Sequence, residues 1–147
     1  MLLTLALGSV LTIGNMAIQV MAVVVVVRLL LAGLRAGRLD EGLATDVYVI
    51  CVVLAVLFVG HLLQFATWAL LFLWIGAFAD FGTAFYHSAV NFTSLGYGDI
   101  VMSDRWRLLG GLEAANGVLM FGLSAGTILS VMNQIFSRHM AARRPQI

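Results

Sequence analysis

Three long apolar runs, separated by short polar breaks, dominate the chain. Residues 1–27 carry no charge, Arg28 interrupts, and apolar character resumes to Leu34. Residues 47–79 are uncharged apart from titratable His61, and residues 108–137 hold one acid, Glu113, near their start. A helix needs about 20 apolar residues to cross roughly 30 Å of hydrocarbon, and each run exceeds that. The pattern predicts three membrane helices, the second long enough to tilt or to project beyond the bilayer. The first run lacks a basic leader and is too long for the apolar part of a signal peptide, so it reads as a genuine membrane helix. Between the second and third runs, "FGTAFYHSAVNFT" at 81–93 is uncharged with helix-permissive spacing, which predicts a short helix re-entering the membrane. "SLGYGD" at 94–99 follows it. Non-helical backbone at membrane depth is tolerated only where it is buried in protein or lines a water-filled cavity.

Composition agrees with the pattern. The 147 residues are 62% hydrophobic and 10% charged, too little charge to cover the surface of a water-soluble domain. Net charge is +1, with eight arginines and no lysine, so no nucleic-acid partner is expected. Cys51 is alone, lies in an apolar run and is expected to be a buried small hydrophobe.

The arginines set an expected orientation. Arg28, Arg35 and Arg38 lie between the first two helices, and Arg138, Arg143 and Arg144 follow the third. The positive-inside rule puts both regions in the cytoplasm, with the N-terminus and residues 80–106 outside. The expected location is the plasma membrane of a prokaryotic cell, with a cytoplasmic C-terminus.

An ion leaving water must have its hydration oxygens replaced, and a stack of backbone carbonyls can do that. Turning consecutive carbonyls to one side requires backbone angles that glycine tolerates, and Gly96 and Gly98 flank Tyr97. A short helix ending near Thr93 aims its negative end at a cation beneath such a loop. One chain provides one wall, so the path demands a ring of copies.

On these residues, "TSLGYGD" at 93–99 above all, the chain resembles the potassium channel pore-domain family over roughly residues 46–138. The family pattern is outer helix, pore helix, filter and inner helix. The resemblance implies an all-α membrane protein in a homotetramer, with K+ as permeant ion and no cofactor. It implies oxygen rings from the carbonyls of Ser94, Leu95, Gly96 and Tyr97 and the Ser94 hydroxyl, with Gly98 completing the filter. Tyr97 would then pack behind the filter, and Asp99 would sit at the outer mouth near Trp106. Gly117 and Gly122 fall at the family's bending glycine and a second small position. Val118, Phe121 and Ala125 would face the cavity, with Leu129 and Asn133 nearer the cytoplasmic gate. The chain departs from the pattern at Ser94 (commonly threonine), Leu95 (valine or isoleucine) and Val90 (glutamate in some members). It also lacks the proline that often follows the filter aspartate.

Several polar residues admit more than one role. Glu113 lies about 9 Å below the outer end of its helix, and a hydrogen-bonded brace to the pore-helix region is favoured over an aid to cation entry. Thr12, Asn15 and Gln19 form one stripe on the first helix at nearly the depths of Gln64 and His61, which predicts a polar seam docking the first helix on the second. Scattered local satisfaction of these groups is the alternative. "GLSAG" at 122–126 matches the Gly-x-Ser-x-Gly pattern of serine hydrolases, but it sits mid-helix and no acid follows Glu113. Close helix approach explains it better. "GLRAG" at 33–37 reads as a helix end. Trp68, Phe72, Trp74, Phe78, Phe81, Phe85 and Tyr86 read as an interfacial belt and pore-helix packing, and His87 as a packing or hydrogen-bonding residue. His139 in the tail reads as part of a cytoplasmic anchor.

The expected division is an added N-terminal helix over 1–34, a cytoplasmic linker 35–45, a pore domain 46–138 and a short tail 139–147. Within the pore domain, the outer helix spans 46–79, the pore helix 81–93, the filter 94–99 and the inner helix 107–138. The expected function is passive potassium conduction rather than enzymatic chemistry. The alternatives are a weakly selective cation channel and a non-conducting membrane scaffold or accessory subunit.

Overall fold

A computed structural model describes residues 1–37 and 42–142. Arg38, Arg143 and Arg144, on which part of the orientation argument rests, lie outside them. Four helices follow in order: α1 (Leu2–Arg35), α2 (Leu43–Trp74), α3 (Phe81–Phe92) and α4 (Arg107–Ala142). Among the described residues there is no strand, and α1, α2 and α4 are each long and apolar enough to cross a membrane. At 12 residues, α3 is about 18 Å long. It reaches only part of the way across.

The helices end where the local chemistry ends them. α2 stops at Trp74 rather than running on to 79, because Gly76 adopts a left-handed φ of +68°. The Gly76 amide then bonds the Leu73 carbonyl at 3.0 Å and the Ala77 amide bonds the Phe72 carbonyl at 2.8 Å. That pair closes the helix end with a glycine turn. α1 ends similarly at Gly37, φ +60°. α3 starts at Asp80, whose carboxylate accepts the Thr83 amide at 2.9 Å. That bond holds the Asp80 carboxyl below its ordinary value. α4 continues past 138 to Ala142.

Two apolar clusters pack these helices. The first gathers Phe65, Trp68, Ala69, Phe72, Ala84, Phe92, Leu109 and Met120 from α2, α3 and α4. The second gathers Ala22, Val26, Val49, Val53, Leu57 and Val131 from α1, α2 and α4. Trp68 and Phe72 are therefore core residues, whereas Trp74 is exposed and fits a belt. Cys51 is exposed on α2, not buried as its apolar neighbourhood suggested. In a helix facing lipid, apolar neighbours do not imply a protein interior.

Gly117 fixes how α3 meets α4. A Cβ built there would collide with the backbone carbonyl of Phe92, the last residue of α3. Bending is thus not the only reason for glycine at 117. At Gly122 a Cβ meets nothing within 4 Å among the described residues outside its own turn. Gly117→Ala should therefore lower stability by about 1–3 kcal/mol, the usual cost of overpacking against backbone. Gly122→Ala should be tolerated, and thermal unfolding of the two purified variants measures the contrast.

Candidate functional site

The loop after α3 is built so that its amides and its carbonyls meet different fates. The Ser94 amide donates to the Asn91 carbonyl at 2.9 Å, and the Leu95 and Gly96 amides to the Val90 carbonyl at 3.0 and 3.4 Å. The Thr93 hydroxyl donates to the Ala89 carbonyl at 2.7 Å. These bonds satisfy the open C-terminal end of α3. The carbonyls of 94–97 accept no backbone hydrogen bond among the described residues.

The backbone angles of the loop alternate in hand. Ser94, Gly96 and Gly98 have φ of +60°, +57° and +74°, and Leu95 and Tyr97 between them do not share the left-handed region. Alternating handedness along a strand of backbone turns successive peptide carbonyls toward the same side. Glycine occupies two of the left-handed positions without penalty. Ser94 does so at a cost of about 1–2 kcal/mol for a residue bearing a Cβ. The two glycines were legible as such positions. The third, at Ser94, was not.

Other expected site residues fall into separate environments. Residues 93–99 are all exposed on the single chain, Tyr97 at 67%. Tyr97 therefore does not pack behind the loop on its own subunit. Asp99 is joined to α3, because the Tyr86 hydroxyl donates to its Oδ2 at 2.7 Å. Trp106 packs against the first apolar cluster with the Arg105 guanidinium 4.6 Å over its ring. On α4, Val118 is 61% exposed, and Ala125, Leu129 and Asn133 are also exposed. Phe121 is only partly turned that way. Its ring lies 4.5 Å from that of His61 and 5.7 Å from that of Phe92. Aromatic packing draws it back toward the core.

Glu113 is fully buried and accepts the Ser88 hydroxyl of α3 at 2.5 Å. Its second oxygen, Oε2, has no partner among the described residues. His87 stacks on Phe72 at 5.4 Å and accepts the Asn91 side-chain amide at Nδ1, 3.0 Å away. Ser88 and Asn91 were not singled out by sequence. Their only signal was being polar on an otherwise apolar short helix.

The polar stripe of α1 reaches both neighbours. The Thr67 hydroxyl donates to Asn15 Oδ1 at 2.7 Å, and Gln64 Nε2 donates to Gln19 Oε1 at 2.7 Å. The pairing is shifted toward the C-terminal end of α2 from a simple depth count, which matched Asn15 to Gln64. Side chains lean toward their own helix N-terminus, so on antiparallel helices they lean toward each other. Asn15 Nδ2 also donates to Asn116 Oδ1 at 2.9 Å, and Gln19 Nε2 to Ser124 Oγ at 2.7 Å. The seam thus includes α4, which sequence reading did not foresee. Ser124 of "GLSAG" has a histidine neighbour, His61 Nε2 at 3.0 Å. It is buried mid-helix with no carboxylate among its hydrogen-bond partners, so the hydrolase pattern has no acid to complete it.

A sequence model of a family described as "Ion channel" matches residues 48–134, from early α2 through α3 and the loop to most of α4. None of the curated proteins and none of the solved structures matches the chain.

The Asp99–Tyr86 bond yields a prediction. The Tyr86 hydroxyl holds the Asp99 carboxyl below its ordinary 3.8. A depressed carboxylate stabilises the fold fully above its unfolded value and loses that contribution as pH falls through its folded value. Wild type should therefore melt higher than Tyr86→Phe at neutral pH. The gap should close as acid protonates Asp99, and melting temperatures of both proteins between about pH 7 and pH 3 measure it.

Proposed function

The chain belongs to the ion channel family, and on that premise we propose that it conducts potassium passively through the central pore of a homotetramer. The observation that carries this reading is the loop 94–98, in which left-handed angles recur at Ser94, Gly96 and Gly98 and whose carbonyls accept no backbone hydrogen bond among the described residues. A carbonyl so placed at membrane depth needs a partner. A dehydrated cation provides one. The carbonyls of Ser94, Leu95, Gly96 and Tyr97, with the Ser94 hydroxyl, replace its hydration shell, and α3 directs its negative end toward the path.

Assembly follows from what one chain leaves uncovered. The loop, Tyr97 and the outward strip of α4 are exposed together. A groove of about 640 Å³ opens beside the loop, lined by Ser94, Gly96, Gly98, Gly110, Gly111 and Ala114 among others. Copies arranged around an axis cover these surfaces and close the ring of oxygens. The arginine distribution supports a cytoplasmic C-terminus and an outer N-terminus in the plasma membrane.

Liposomes containing the purified protein test the reading. Potassium influx that exceeds sodium influx severalfold and is blocked by barium is the expected outcome. Equal fluxes of the two ions point to a weakly selective pore, for which the replacements at Ser94 and Leu95 are the first suspects. Absence of flux from verified tetramers, under all conditions that open related pores, contradicts the conducting reading.

A further inference from the structure

α1 lies outside the matched family region, yet its buried Asn15 and Gln19 bond to α4 and to the part of α2 that holds α4. Two hydrogen-bonded layers result. In the outer layer, Asn15 links Thr67 of α2 to Asn116 of α4, and Trp68 Nε1 also donates to Asn116 at 3.1 Å. In the inner layer, the bonds form a relay that begins and ends on α2. Gln64 donates to Gln19, Gln19 donates to Ser124 Oγ, and His61 Nε2 lies 3.0 Å from the same hydroxyl. Asn15, Gln19, Gln64 and Asn116 are fully buried, and Ser124 and His61 are 6% exposed.

The two anchor points on α4 bracket a weak point. Asn116 precedes Gly117, which is seated against Phe92, and Ser124 follows Gly122, where nothing outside its own turn among the described residues opposes a change in helix path. Eight residues separate the anchors, about 12 Å of helix. A bend at Gly122 moves Ser124 away from Gln19 and His61, and in hydrocarbon those groups find no water to replace it. Glycine is a common site of such bends.

We propose that α1 is a built-in clamp on the inner helix. Asn15 and Gln19 act as positioning residues that hold α4 on both sides of Gly122, and so set how often the conduction path is open. The proposal rests on the channel reading for its functional outcome but not for its mechanics. Residues of α1 do not touch the permeant ion. Their loss should change open probability and leave unitary conductance and ion preference as they are.

Single-channel recording of wild type, Gln19→Leu, Ser124→Ala and the double variant tests this. Each single change should shift open probability by about tenfold, the scale of one buried hydrogen bond. The double variant should shift it by less than the two single effects combined, because both changes break the Gln19–Ser124 contact while each also removes one further bond. Ser124→Thr, which keeps the hydroxyl, should behave as wild type. Open probability within twofold of wild type in both single variants, or fully additive effects, overturns the clamp. If Gln19→Leu does not assemble, Ser124→Ala and Ser124→Thr carry the comparison. A second readout separates the clamp from the channel reading. Amide hydrogen exchange over residues 118–126 in nanodisc-embedded protein should be faster in Ser124→Ala than in wild type, whether or not current flows. Unchanged exchange there contradicts the clamp even in a conducting protein.

Discussion

A peptide carbonyl removed from water must find a partner, and in a membrane the partner is nearly always its own helix. Residues 94–97 break that rule, and the surrounding structure makes the breach tolerable. The amides of Ser94, Leu95 and Gly96 are spent on the end of α3, so from these three residues only the carbonyls remain to be served. Left-handed angles recur at Ser94, Gly96 and Gly98, a pattern that can turn successive carbonyls to one side. α3 itself is held from behind by two different contacts. Ser88 bonds the buried Glu113, and Phe92 seats its carbonyl against Gly117 so closely that a single methyl group cannot enter. Both contacts come from α4, so that helix also sets the position of the loop.

The same helix is tied to a third element. Apolar packing is a weak source of specificity among membrane helices, because lipid tails compete with it on equal terms. Hydrogen bonds between buried amides and hydroxyls have no such competitor. The eight side chains of the α1–α2–α4 network lie mostly between the two apolar clusters and fix the register of all three helices. Each alone contributes modestly, on the order of 0.6–2 kcal/mol in membranes. Their arrangement in closed chains matters more, since moving any helix leaves several groups unpaired at once.

Much of the architecture was legible in the sequence because the bilayer imposes a length criterion that three long apolar runs meet. The short helix and the Gly-Tyr-Gly stretch were legible because glycine marks unusual backbone. Other features were hidden for identifiable reasons. The end of α2 at Trp74 was signalled by Gly76, but the apolar run continued past it and obscured the turn. The left-handed angle at Ser94 was invisible, since serine does not advertise it. Asn116 and Ser124 were single polar residues on a long apolar helix, and only three-dimensional neighbours distinguish a seam from scatter. The hydrogen-bond partner of Asp99 was hidden as well, since only the folded loop brings the Tyr86 hydroxyl of α3 to it.

The central claim is that the oxygens of residues 94–97 take the place of water around potassium. Anomalous scattering measured near the potassium edge, on crystals of the assembled protein, addresses it most directly. The account predicts anomalous peaks on the symmetry axis, level with the carbonyls of Ser94, Leu95, Gly96 and Tyr97, that vanish when sodium replaces potassium. A well-ordered loop with its carbonyls facing the axis, but no potassium signal between them, would contradict it.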